Sequence, residues 1–207
     1  MTRRYPEIAF TPSVRAVQDA HGARKSAQRL LDMEWEDQRL GEDEAAFIGA
    51  RDSFYMATAN DDGWPYVQHR GGPTGFVRVL DDKTLAFANY RGNRQYVSAG
   101  NVVEDDRVSL FFVDYPHQRR LKIFARARFA RPEEVPDLAE KVRDPNYSGK
   151  VEHIVVLNVE AFDWNCPQHI TPRWTAHELE AQLEPVKQRL AALETENARL
   201  RDLVPSG

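Results

Sequence analysis

The chain has 207 residues, with 28 basic against 32 acidic side chains and a net charge of -4. That length suits one ordinary domain with additional segments at its ends, and the charge balance argues against a nucleic-acid binder that works through bulk charge. Mean hydropathy is -0.62, and apolar runs such as Val108–Val113 fall far short of the roughly 20 residues a membrane helix needs.

Cys166 is the single cysteine, which excludes an intramolecular disulfide framework and a Cys-rich zinc site. No apolar stretch follows Met1-Thr2-Arg3-Arg4, as a secretory signal would require. A reducing cytoplasm is the expected compartment.

Residues 1–52 read as helical. Thr11-Pro12 is an N-cap followed by proline at the first helical position, and Gly22 is a candidate stop. Arg24–Asp37 carries Ala27, Leu30, Leu31 and Trp35 on one face. A third helix is expected near Glu42, whose acidic first turn complements the helix dipole.

Period-two patterns begin at Ser53 and define residues 53–174 as a second segment. Ser53–Ala59 and Trp64–Arg70 flank Asn60-Asp61-Asp62-Gly63, a hairpin signal. Gly75–Leu80 and Thr84–Asn89 flank Asp81-Asp82-Lys83 as a second hairpin. A short helix is expected over Asn93–Val103, long strands over Arg107–Tyr115 and Arg119–Arg131, a helix over Pro132–Val142 and a last strand over Val151–Phe162. The sequence therefore predicts a mainly β, α+β protein. Six to seven antiparallel strands are expected to form a barrel that closes its edges.

Residues 175–207 form a third segment. Leu183, Leu190 and Asn197 fall at heptad a positions, and Leu179, Val186, Leu193 and Leu200 at d. A parallel pair would place Arg189 against Glu194 and Glu196 against Arg201, with Asn197 fixing register. Pro185 is expected to limit the seam to the residues beyond it. The alternative is a helix packed on its own barrel.

Several chemistries can be set aside. The chain has no Gly-x-Gly-x-x-Gly, no Walker lysine, no His-Glu-x-x-His and no Gly-x-Ser-x-Gly. His21, His69, His117, His153, His169 and His177 are scattered without metal-ligand spacing, so no metal site is expected.

Three segments carry candidate site residues. Val67–Phe76 brings Gln68, His69 and Arg70 on a strand into the glycine-rich run that starts at Gly71; alternation puts Gln68 and Arg70 on one face and His69 on the other. Ala86–Gln95 ends a strand at Asn89 and Tyr90. It continues through Arg91 to Asn93, read as an N-cap, and Arg94; free helix N–H groups beside arginines suit a phosphate. Asp163–Trp174 contributes Trp164, Gln168, His169, Arg173 and Trp174, either over a partner's pocket or as a linker that pins the last helix.

In this order the pieces resemble the pyridoxamine 5′-phosphate oxidase-like FMN-binding split barrels, over about residues 45–174. Asn89 and Tyr90 match the family's Asn-Tyr pair, and Arg94 takes the place of its phosphate-binding lysine. Asn93 stands where the family has arginine, with Arg91 close by, and Arg120 stands where it has glutamine. The resemblance implies a split β-barrel and a homodimer with FMN in grooves between the subunits. A small-molecule electron donor or acceptor is expected, and charge and hydropathy lead to no expected nucleic-acid or membrane partner. Gln168-His169-Ile170-Thr171-Pro172-Arg173 departs from the Arg- and His-rich ending that holds substrate phosphate in pyridoxamine 5′-phosphate oxidase itself. The sequence therefore points to a related oxidoreductase of unknown substrate. Open alternatives are a flavin or haem module without turnover, with His69, His117 or His169 as axial ligand, and a scaffold that binds nothing.

Overall fold

The structure, a computed structural model, describes residues 4–32, 39–164 and 167–203. Trp35 and Cys166 lie outside the described residues. The chain divides into two compact units: Met1–Asp114 with Arg119–Pro167, and Tyr115–Gln118 with Gln168–Gly207.

The larger unit opens with α1 (Arg4–Ala9), α2 (Pro12–Ala20), α3 (Arg24–Asp32) and α4 (Glu42–Gly49). α2 starts as the sequence predicts: the Val14 N–H donates to Thr11 Oγ1 at 3.3 Å, and Pro12 takes the first helical position. α4 begins with Glu42, Asp43 and Glu44, and the Gly41 N–H donates to Glu44 Oε2 at 3.0 Å. This fixes the helix so that Phe47 and Ile48 enter the core.

Seven strands follow: β1 (Ser53–Ala59), β2 (Pro65–Gly71), β3 (Val77–Val79), β4 (Thr84–Tyr90), β5 (Arg107–Asp114), β6 (Arg119–Ala130) and β7 (Val151–Trp164). They form one sheet in the order β2-β1-β5-β6-β7-β4-β3, with every neighbouring pair antiparallel. Both expected hairpins are present. Ser53 pairs with Gly71 in the first and Val77 with Phe87 in the second.

The sheet curls on itself. Phe54 of β1 meets Phe87 of β4 edge-on, with ring centroids 5.3 Å apart, although β5, β6 and β7 separate these strands in the ladder. Phe54 also stacks on Phe76 and Phe112, and Met56, Leu85, Leu110, Leu121, Ile123, Val155 and Leu157 complete the interior. Leu85, Ala86, Phe87 and Ala88 are buried in succession because β4 is covered on both faces. Leu85 and Phe87 face the core, while Ala86 and Ala88 pack with Val142 and Ile154 in a second cluster.

The expected closure of the barrel edges is not found. Among the described residues β2 pairs only with β1, and β3 only with β4. The loop between them explains this. The Gly72 and Gly75 N–H groups donate to the carbonyls of Asp52 and Arg51, each at 2.9 Å, so these donors hold the loop instead of extending a ladder. Gly75 has φ 77°, and a Cβ there would stand 2.9 Å from the Gly49 carbonyl oxygen. Only glycine fits that approach. β3 is thereby shortened from the expected Gly75–Leu80 to three residues.

Two further boundaries differ. The helix expected over Asn93–Val103 begins only at Val97 (α5, Val97–Glu104), because Arg94 and Tyr96 adopt left-handed backbone with φ 61° and 53°. α5 is tied to β1 by the buried bond from Asn101 Nδ2 to Thr58 Oγ1, 2.9 Å. Residues 132–142 divide into a 3₁₀ turn (Pro132–Glu134) and α6 (Pro136–Val142), since Pro136 starts a new helix.

The second unit is dominated by α7 (Ala176–Leu203). Its start is a capping box: the Glu178 N–H donates to Thr175 Oγ1 at 3.2 Å, and the Thr175 N–H donates to Glu178 Oε2 at 2.8 Å. α7 runs through Pro185 without interruption, which corrects the expectation that the seam begins beyond it. An interior proline costs a helix about 3 kcal/mol. Here Ala181 carries the carbonyl left without a donor, on an exposed turn open to water. No described helix is long and apolar enough to cross a membrane.

Candidate functional site

β2 alternates as expected. Tyr66, Gln68 and Arg70 are half-buried, while Val67 and His69 are exposed. His69 meets Tyr55 edge-on, with ring centroids 5.6 Å apart. Arg70 crosses the opening of the curled sheet and donates from Nη1 to Asn89 Oδ1 on β4 at 2.8 Å. A second bond ties α5 to β2: Ser98 Oγ donates to Gln68 Oε1 at 3.2 Å.

The arginine is otherwise short of partners. Its Nε is buried with no hydrogen-bond partner, and among the described residues no carboxylate pairs with it. Burial lowers its pKa from the usual guanidinium value, the expected response of a cation removed from water without a counter-charge. Two neighbouring polar atoms are also orphaned in the interior, Tyr90 Oη and His153 Nδ1. Burial raises the Tyr90 hydroxyl pKa.

β4 ends at this place in a bulge. Asn89 pairs with His153 but Tyr90 pairs with Val151, so Glu152 is the extra residue. Glu152 accepts from Arg91 Nε at 2.7 Å and from Tyr96 Oη at 3.3 Å, and the Arg91 bond is the main reason its carboxyl lies below the usual range. Arg91 is therefore already paired. Arg94 is exposed, and its Nε donates to Tyr96 Oη at 3.3 Å. Asn93 does not cap α5, which corrects that reading. Its Oδ1 instead accepts from the Gln95 N–H at 3.1 Å and shapes the turn that presents Arg94.

Gln68, Arg70, Asn89, Tyr90, Asn93 and Arg94 thus line one groove, of about 50 Å³. Small-molecule pockets hold roughly 300–1,000 Å³, so the groove alone is too small to enclose a small molecule. Tyr96, Ser98 and Glu152 line it too, and sequence reading does not select them. The available signal is the pairing of β4 with β7, which sets Glu152 beside Tyr90.

The other candidates sit elsewhere. Gly71 closes β2, with His69 Cε1 3.1 Å from where its Cβ would lie. Arg120 and Trp164 lie at the far end of the β6–β7 pair: Leu121 faces Trp164, and β7 covers about 35 Å between His153 and Trp164. Trp164 Nε1 donates to Glu44 Oε1 at 2.7 Å, its ring packs edge-on against Phe47 at 4.7 Å, and the Arg119 guanidinium lies 4.6 Å from it. Gln168 and Arg173 belong to the second unit. There the Arg173 guanidinium lies 5.1 Å over the Tyr115 ring, and His169 has φ 64°.

A family model described as pyridoxamine 5′-phosphate oxidase matches residues 40–163, more than half of the chain. The chain belongs to the pyridoxamine 5′-phosphate oxidase family. The family match covers every residue of the groove and ends just before Trp164, Gln168 and Arg173.

Among solved structures, the chain is similar to HupZ of group A Streptococcus, with 15% identity and a TM-score of 0.46 over 65% of this chain and 99% of that one. It is also similar to an FMN-binding protein of Syntrophomonas wolfei, with 13% identity and a TM-score of 0.45 over 72% of this chain and 97% of that one. Among curated proteins none matches the chain.

Proposed function

We propose that the protein binds FMN in the groove between β2 and β4 and acts as an oxidoreductase on a small organic substrate other than pyridoxamine 5′-phosphate. The observation that carries this reading is Arg70. A half-buried guanidinium with an orphaned Nε and no carboxylate partner suits an anion. FMN offers a phosphate for that charge and an amide-like ring edge for Gln68 and Asn89, and family membership supports a flavin.

FMN, when bound, supplies hydride and electron transfer. The chain's part is binding and orientation. Arg70 and Arg94 would hold the phosphate. Asn89, fixed by Arg70, would orient a polar ring edge, and Gln68 is held for the same task by Ser98. Arg91, neutralised by Glu152, would shape the wall rather than carry charge to the ligand.

The incompleteness of the groove supports a homodimer in which a second subunit supplies the opposite wall. Arg120, Trp164, Gln168 and Arg173 are the residues we assign to that wall. The single cysteine supports a reducing, cytoplasmic setting. The test is the absorption spectrum of the purified protein followed by titration of stripped protein with FMN. Flavin bands and saturable binding support the reading, while a Soret band or no binding at millimolar FMN refutes it.

A further inference from the structure

We infer that α7 is one strand of a parallel two-stranded coiled coil whose partner is the α7 of a second copy of this chain. The inference does not depend on the flavin reading. Leu179, Leu183, Val186, Leu190, Leu193 and Leu200 are all exposed, Val186 to 62% and Leu190 to 56%, although they repeat at a and d spacing along one face. An apolar seam left open to water, interrupted only at Asn197, calls for a partner.

The structure removes the objection raised by Pro185. The helix passes through it, so the seam runs from Leu179 to Leu200, about 32 Å. Pro185 falls at heptad position c, on the side away from the seam, and Ala181, whose carbonyl loses its donor, falls at f. Neither position touches a partner helix.

Two features select a second copy in parallel register. The flanking charges are self-complementary: Arg189 at g faces Glu194 at e of the partner, and Glu196 at g faces Arg201 at e, each pair occurring twice. Asn197 occupies an a position. In a parallel pair it meets its own copy, where two amides hydrogen-bond. In an antiparallel pair it would face an apolar d residue and leave its amide unsatisfied.

Cross-linking of the full-length protein tests this. In a Cys166→Ser background, Leu200→Cys at d is expected to form a disulfide-linked dimer under mild oxidation. Thr195→Cys at the outward f position is expected to stay largely monomeric on a non-reducing gel. Equal cross-linking of the two variants overturns the proposal, as does failure of Leu200→Cys to cross-link. A heterodimer formed only when Leu179→Cys and Leu200→Cys proteins are mixed shows antiparallel pairing and also overturns it.

Discussion

Arg70 on β2 and Asn89 on β4 are joined by a 2.8 Å hydrogen bond, although β1, β5, β6 and β7 all lie between them in the ladder. The bond exists because the sheet curls until its two ends face each other without pairing. An open seam in an antiparallel sheet usually presents bare backbone edges. Here side chains span it, and the guanidinium that does so retains an unspent donor.

Replacing Arg70 should therefore separate binding from stability. Arg70→Met is expected to weaken FMN binding by about 1.4–2.7 kcal/mol, or roughly 10- to 100-fold. The ligand-free protein should lose no thermal stability, because an uncompensated, partly buried charge is removed along with its bond to Asn89. Isothermal titration and calorimetric melting measure the two effects. Loss of both together would mark Arg70 as a structural residue only.

Arg94 should matter less. It is exposed and reaches the groove from a left-handed turn, so solvent screens its charge. Arg94→Ala is expected to reduce FMN affinity about two- to fivefold, with a dependence on ionic strength that the Arg70 variant lacks. Titrations at low and high salt check this.

Part of this arrangement is legible in the sequence. The alternation of Ser53–Ala59 and Trp64–Arg70 around Asn60-Asp61-Asp62-Gly63 sets the first hairpin, and it correctly separates Gln68 and Arg70 from His69. Local signals of this kind act over a few residues. The start of α5 is not legible, because Arg94 and Tyr96 take backbone conformations that their residue types seldom favour, so Asn93 resembles a cap without being one. The bond from Trp164 to Glu44 links the end of β7 to the first turn of α4, and no periodicity carries such a contact. That α7 continues through Pro185 is not legible from helix propensity, which alone would end or kink the helix there.

Gly75 tests why the sheet stays open. With φ 77° and the Gly49 carbonyl oxygen 2.9 Å from its missing Cβ, Gly75→Ala is expected to destabilise the fold by at least about 1–2 kcal/mol, and to disturb the loop from β2 to β3. Chemical denaturation gives the first quantity. An unchanged midpoint would contradict this account of the loop.

Trp164 serves as a reporter of the opposite wall. In a variant whose only tryptophan is Trp164, adding FMN to stripped protein is expected to quench its emission if a second subunit brings it to the flavin. Because the indole is already fixed by Glu44 and Phe47, local loosening is a poor explanation for such a change. Unaltered emission at saturating FMN would remove Trp164 from the site.

Asp105 provides a pH test remote from the groove. Hydrogen bonds from Arg107 hold its carboxyl at about 2, below the ordinary value near about 4. A lowered folded-state value favours the folded protein above the ordinary value, and that advantage disappears as pH falls toward about 2. The stability difference between the native protein and Asp105→Asn is expected to be full and small at pH 5, and to be lost as pH falls through about 2. Melting curves across that range check the sign.

Arg70, whose buried Nε has no hydrogen-bond partner, is proposed to mark an FMN site. Titration of stripped protein with FMN, run in parallel on the native chain and on Arg70→Met, tests it most directly. Saturable binding of about one FMN per chain is expected for the native protein, and a curve shifted roughly 10- to 100-fold for the variant. Equal affinity in the two proteins, or no binding by the native chain, would contradict the proposal.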